Sequence, residues 1–416
     1  MDVRRRSAGN VMRGLRFAGV VAGAVMLAGL AVVPVRAQDA SNPVRVGEIN
    51  SYSGIPAFTI PYRQGWQLAV EEVNAAGGVL GRKLEVLSRD DAGRPADAIT
   101  AANELVSREK VDLIAGGFFS NVGLALSDFA RRSKTFYLAS EPLSDALTWE
   151  KGNRYTFRLR PTNYVQASIL AEAAAKLPAR RWATIAPNYE YGQSAVSVFK
   201  KLLSEKRPDI EWVNEQWPPQ GKIDAGAVAQ AVLAANPEAI LNVTFGPDLV
   251  KLVREGNTRG LFKGRDVVSF ITGEPEYLDP LKDETPTGWI VTGYPWQSID
   301  TPEHKAFYDA YQARFNDYPR LGSVVGYVTI KSIAAIINKA GSTDTDKLIE
   351  AARGIGLETP FGPIIYRAAD HQATLGAFIG TTAVKDGKGV MVDAVYKDGA
   401  DYLPDEATAA KMRPQD

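Results

Sequence analysis

Residues 113–125 read LIAGGFFSNVGLA. A short apolar run ends at Gly116-Gly117, two phenylalanines follow, and Ser120-Asn121 stands where an amphipathic stretch begins. The glycines let the backbone turn sharply. Serine or asparagine is the usual kind of N-cap, and free N–H groups at such a helix start favour an anion. The stretch predicts a strand, a turn and a helix whose first turn faces a small anion beside aromatic rings.

Working outward, the same alternation recurs. VRVGEI, KLEVLS, VDLIAG and TFYLAS are short, rich in Val, Ile or Leu, and strand-like. Between them, PYRQGWQLAVEEVNAA puts Trp66, Ala69, Val70 and Val73 on one helical face, and RPADAITAANELVSR does the same with Ile99, Leu105 and Val106. Strand–helix units of this kind build a parallel sheet covered on both faces. A second series follows: WATIAP, IEWVNE, EAILNV and DVVSFI alternate with SAVSVFKKLLSE, AGAVAQAVLAA and PDLVKLVREG, with Asp224 placed to cap the second of these helices. After GWIVTGYPW the pattern turns to two helices, HKAFYDAYQARF and VVGYVTIKSIAAIINKA, then ETPFGPIIY and two last strand-like runs.

That order predicts an α/β protein of two lobes, each a mostly parallel sheet flanked by helices. Two sheets suit this length better than one of eight or more strands. The late helices imply that the lobes exchange segments: residues 42–158 with 297–359 form lobe 1, and 161–293 with 363–410 form lobe 2. Three crossings then fall near 158–161, 293–296 and 359–363.

Residues 1–37 read as a leader. A basic start precedes an apolar run, FAGVVAGAVMLAGLAVVPV, and Val35-Arg36-Ala37 offers small residues for cleavage before Gln38. The run is glycine-rich and marginal in length for spanning a bilayer. Arg4-Arg5 hints at twin-arginine export, but the following apolar pair is missing, so general secretion is the expectation. Without the leader's six arginines and one aspartate the chain carries 42 basic and 47 acidic residues. That negative balance argues against nucleic acid as a partner. The chain has no cysteine, so it carries neither a lipid-linked N-terminal cysteine nor a disulfide, and a soluble periplasmic protein is expected. No second long apolar segment is read as entering a membrane.

Catalytic material is scarce. His304 and His371 are the two histidines, both in polar surroundings and expected to be exposed. Without cysteine, neither a thiol nucleophile nor a sulfur metal site exists. No G-x-G-x-x-G or G-x-x-x-x-G-K-[ST] occurs, and GGVLG at residues 77–81 follows a helix, so it reads as a helix stop rather than a dinucleotide cradle. Asp90-Asp91 reads as a capping or solvated pair. The expectation is a protein that is not an enzyme and that carries no cofactor or metal.

Several stretches, NAAGGVLGRKLEVLSRDDAGRPADA, AGGFFSN, NYEYGQS and ETPFGP, resemble the branched-chain amino-acid-binding proteins of bacterial ABC importers, in the right order over nearly the whole chain after the leader. The resemblance implies the type I periplasmic binding protein fold, two lobes joined by three crossings. It implies a monomer that takes an amino acid or related carboxylate and docks on an inner-membrane ABC permease.

Position by position, it implies that Ser120 binds the ligand carboxylate. Pro142 and Ser144, in SEPLSDALT, supply a backbone carbonyl and a hydroxyl. Tyr191 closes from the other lobe and Phe245 lines the same side. Glu274 pairs with the ligand ammonium, and Phe58, in the first loop, covers the apolar group. The surrounding aromatics (Tyr52, Phe118, Phe119, Tyr189) leave leucine-like, phenylalanine-like and amine-free aromatic or aliphatic acids, or an amide, open. A sensory module reporting its ligand to a receptor is the other reading.

Overall fold

The computed structural model describes residues 42–414; the expected leader lies outside them. The first series supplies β1 (Val44–Asn50), α1 (Pro56–Ala75), β2 (Leu84–Asp90), α2 (Pro95–Ser107), β3 (Leu113–Gly116), α3 (Ser120–Ser133), β4 (Tyr137–Ala139) and β5 (Thr156–Arg158). The strands form a five-stranded sheet of order β2-β1-β3-β4-β5, parallel throughout. The register sets Gly116 opposite Ile49, so the glycine turn after β3 lies level with the end of β1.

The second series supplies α4 (Asn163–Ala174), β6 (Arg181–Ile185), α5 (Glu190–Lys206), β7 (Glu211–Gln216), α6 (Ala225–Ala235), β8 (Ala239–Asn242), α7 (Gly246–Arg259), β9 (Asp266–Gly273), α8 (Pro275–Leu278) and β10 (Ile290–Gly293). Then come α9 (Pro302–Phe315), α10 (Leu321–Ala340), α11 (Thr345–Ala352), the small hairpin β11 (Gly356–Thr359) and β12 (Gly362–Ile365), and finally β13 (Ala377–Lys385) and β14 (Lys388–Lys397). The second sheet runs β14-β13-β10-β9-β8-β6-β7. Its central strands are parallel, and β13 and β14 add antiparallel at one edge. Strands of the first sheet thus end at Arg158, and the last two strands of the chain return to the second.

The late helices return to the first series. A Cβ at Gly65 would sit 1.9 Å from the Ser323 carbonyl oxygen, and one at Gly326 2.1 Å from that of Tyr62. Only glycine lets the backbones of α1 and α10 come this close. α10 has a mean hydropathy of 1.5 over an 18-residue window, long and apolar enough for a membrane, but 78% of that window is buried inside the protein. It is a second long apolar segment, contrary to the sequence reading, and its burial makes it a core helix.

Local expectations met mixed outcomes. Residues 77–81 do stop a helix: Gly77, Gly78 and Gly81 all have positive φ, and the Gly78 N–H donates to the Val73 carbonyl. Asp224 caps α6 through the Ala227 N–H. Asp90 and Asp91 cap the turn after β2, accepting from the Ala92 and Gly93 N–H groups, but Asp91 is buried and also accepts from Ser51 Oγ at 2.6 Å. Both histidines are buried, against expectation. His304 Nε2 lies 2.7 Å from Tyr294 Oη, and His371 stacks on Phe157 with centroids 3.9 Å apart. Aromatic partners distant in sequence, not the polar neighbours, decide their environment.

Candidate functional site

Open α/β sheets collect ligands beyond the carboxyl ends of their strands, and here three helices begin at such ends around one cavity. α3, α5 and α7 have Phe119, Tyr189 and Phe245 as N-cap residues, all in extended conformation and none making a side-chain capping bond. Ser120 is therefore the first residue of α3 rather than its cap, and Asn121 follows it inside the helix. An aromatic residue is a poor cap by intrinsic preference. Three of them in this place leave first-turn N–H groups available and put rings where a polar cap would stand.

The cavity with its open mouth takes in about 280 Å³. Phe118, Ser120, Glu141 and Leu143 line it from the first series, Tyr189, Tyr191, Phe245 and Ile271 from the second, and Arg160 from the crossing between them. The rings form a continuous shell: Phe118 to Phe245 at 6.1 Å, Phe245 to Tyr191 at 5.6 Å, and Tyr191 to Tyr189 at 6.1 Å between centroids. Ile271 holds φ at 53°, a strained state for a β-branched residue. Its N–H donates to Thr292 Oγ1 and its carbonyl accepts from the Glu274 N–H.

Ser120 Oγ accepts from the N–H groups of Leu143 and Ser144, at 3.3 and 3.2 Å. With both lone pairs engaged, its own proton is left to donate, so the hydroxyl suits an anionic or carbonyl oxygen. Tyr191 Oη, also buried, has no hydrogen-bond partner among the described residues.

The residues singled out from sequence divide into two groups. Ser120, Tyr191 and Phe245 lie together on the cavity wall. Phe58, Pro142, Ser144 and Glu274 stand behind it. Phe58 belongs to α1, not to a loop, and backs Phe118 at 5.1 Å. The Pro142 carbonyl accepts from the buried Arg158 guanidinium at 3.4 Å, while its ring packs at Gly123. Ser144 Oγ donates to Glu190 Oε1 at 2.6 Å, tying the loop after β4 to the start of α5. From this loop Glu141 and Leu143 line the cavity, alternating with Pro142 and Ser144.

Glu274 differs most from expectation. Its Oε1 accepts from Arg160 Nη2 at 2.5 Å with both side chains buried, and it lines a second cavity that it shares with Arg160. Burial pushes its carboxyl up to about 7, against the pull of Arg160. Burial pulls the Arg160 guanidinium down, but the neighbouring charges of Glu274 and Tyr277 outweigh it and hold it above its ordinary value. Glu141 accepts from Asn50 Nδ2 at 3.1 Å through one oxygen while the other has no partner among the described residues. Burial drives its carboxyl well above the usual range, with Asn50 and Arg160 opposing. Sequence reading missed Arg160. Its signal was the alternation Arg158-x-Arg160 before Pro161, two charges within an otherwise apolar crossing. Among the described residues, no group of three or more His, Asp or Glu side chains could hold a metal ion.

A Leu/Ile/Val-binding protein homolog of Brucella abortus is 26% identical over 79% of this chain and 85% of its own length. The fold matches a solute-binding protein of an ABC transporter from Rhodopseudomonas palustris, solved with 3,4-dihydroxybenzoic acid, at a TM-score of 0.77 and 24% identity, covering 86% of this chain and 99% of that one. It also matches a leucine-binding protein of Thermotoga maritima, with a TM-score of 0.75 and 22% identity over 85% of this chain and 98% of the other. Residues 43–388 match the periplasmic binding protein family, whose members serve transport by binding rather than by catalysis, and the chain belongs to that family.

Proposed function

We propose that the chain is the solute-binding component of an ABC importer. Its ligand is a small molecule joining a carboxylate to an apolar body, an amino acid with an apolar side chain or an acid of similar size. The ligand enters between two lobes, 42–158 with 297–359 and 161–293 with 363–410. Closure buries it, and the closed form docks, as a monomer in the periplasm, on an inner-membrane permease. One observation carries this reading: the Ser120 hydroxyl and the uncapped start of α3 meet an aromatic wall from α5 and α7 across a cavity of about 280 Å³. The donors suit a carboxylate, and the rings suit what is attached to it. The Brucella relative's name and the Thermotoga protein's title support an apolar amino acid. The dihydroxybenzoic acid of the Rhodopseudomonas structure supports the second reading, an aromatic acid without an amine.

Thermal unfolding with a ligand panel tests it. A ligand at one hundred times its dissociation constant adds about 2.7 kcal/mol to the native state. Apolar amino acids or the matching carboxylic acids should raise the melting temperature, while sugars, nucleotides and polyamines should not. A shift with a sugar and none with any carboxylate would refute the proposal.

A further inference from the structure

We propose that Arg160 sets the charge preference of the site, with its guanidinium as the partner of the ligand's anionic group and Glu274 as a positioning residue behind it. On this inference, which rests on the small-carboxylate reading above, the chain prefers an apolar acid without an amine to the corresponding amino acid.

Arg160 is the one cationic side chain among the described residues on the cavity wall, and it lines both this cavity and the second one behind it. Glu274 lines only the second, where its Oε1 takes Arg160 Nη2. The guanidinium therefore stands between Glu274 and the main cavity. Arginine carries five N–H donors in a planar fork, so one edge can stay on Glu274 while another meets a carboxylate, a geometry that arginine suits better than lysine. The Phe58 ring, with its centroid 5.4 Å from the guanidinium carbon, packs against the same group and helps to fix it.

A ligand ammonium has a poor prospect in the same space. In a cavity this small it would lie close to Arg160, and like charges in a water-poor site repel strongly. Glu141 is the one carboxyl on the wall, and burial raises its affinity for a proton against the pull of Asn50 and Arg160, which weakens it as a countercharge for an ammonium. The starts of α3, α5 and α7, none with a side-chain cap, add positive partial charge of the same sign. The one full cationic charge on the wall and the three helix starts together favour an anion.

The test is isothermal titration of the full chain with two matched pairs, L-leucine against 4-methylpentanoate and L-phenylalanine against 3-phenylpropionate, in the wild type and in Arg160→Met, Arg160→Lys and Glu274→Gln. The wild type should bind the better-fitting acid at least tenfold more tightly than its amino acid. Arg160→Met should weaken the acid about a hundredfold and erase the preference. Arg160→Lys, which keeps the charge and guards against a folding defect in the methionine variant, should keep the preference with weaker binding. Glu274→Gln should leave the acid within about threefold, because the amide oxygen still accepts from Arg160. Tighter binding of the amino acid by the wild type, with a hundredfold loss of it in Glu274→Gln, would overturn the inference and return Glu274 to the ammonium. An acid preference that survives Arg160→Met unchanged would overturn it too. Failure of all four compounds to bind would remove the small-carboxylate reading itself.

Discussion

The two walls of the cavity are built on different principles. The wall from the first sheet sets Ser120 and Glu141 beside Phe118 and Leu143, and its polar part is braced: Ser120 Oγ is held by two backbone N–H groups, and the loop behind it is pinned by Arg158, which donates to the carbonyls of Pro142 and Ser144 and to Thr148 Oγ1. The wall from the second sheet is a set of rings, Tyr189, Tyr191 and Phe245, at helix starts with no polar cap. Hydrogen bonds need fixed geometry, whereas apolar contact is non-directional. A braced polar wall can therefore orient a ligand while an apolar wall comes down on it. The two walls already touch through Ser144 and Glu190 and through Asp145 and Ser194.

This contrast can be sharpened first at the buried acids that support the polar wall. Burial pushes Glu48, behind that wall, up to about 7, with Ser88, Tyr52 and Arg63 opposing, and burial pushes Glu276 up to about 8. In the folded state these groups hold protons that the unfolded chain has released above its ordinary carboxyl range. Stability therefore falls as pH rises from about 4.5 towards 7–8. His304, lowered by burial to about 4, acts oppositely and costs stability as pH drops below about 6.5. The acids outnumber it, so the chain should melt higher at about pH 5.5 than at about pH 7.5. Glu48→Gln should remove on the order of 2 kcal/mol of that difference. Calorimetry of both proteins at the two pH values checks this; identical pH profiles would mean Glu48 is ionised throughout.

Next in size is the polar wall's own contact. Ser120→Ala removes one hydrogen bond to a charged group, about 1.5–3 kcal/mol, or roughly ten- to over a hundredfold in affinity. The loss should be largest for the carboxylate and fall to about 0.5–1.5 kcal/mol for a ligand amide, whose carbonyl still accepts. On the opposite wall, Phe245→Leu should cost about 1 kcal/mol, alike for the acid and its amide, and paired titrations separate the two behaviours. The smallest effect belongs to the contact between the walls. Ser144→Ala loses its bond to the Glu190 carboxylate and its cap on the Ala146 N–H, and should speed ligand release several-fold with little change in the association rate. Stopped-flow fluorescence reads both rates, and a slower association would contradict a role in the closed form.

How much of this was legible in the sequence follows from what each feature depends on. Parallel strands and amphipathic helices announce themselves locally, so VRVGEI, LIAGG and EAILNV were found where the strands lie. β5 was missed because three residues carry no period. Ser120, Tyr191 and Phe245 were reachable because each follows a strand end. The cap of α3 was misread because the rule favours serine over phenylalanine, and local rules fail most often where a site takes over the helix start. Arg160 left only the signal of two charges in an apolar crossing, and the burial of His304 and His371 left none. They depend on partners 114, 10 and 214 residues away, through Glu274, Tyr294 and Phe157.

The account rests on one wall closing over a ligand seated on the other. Small-angle X-ray scattering of the full chain, without ligand and then saturated with the carboxylate that most raises its melting temperature, tests that directly. A smaller radius of gyration with ligand is the predicted result, and its loss in Phe245→Ala would tie closure to the aromatic wall. An unchanged scattering profile, with binding confirmed by calorimetry on the same sample, would contradict hinge closure and leave a rigid, preformed site.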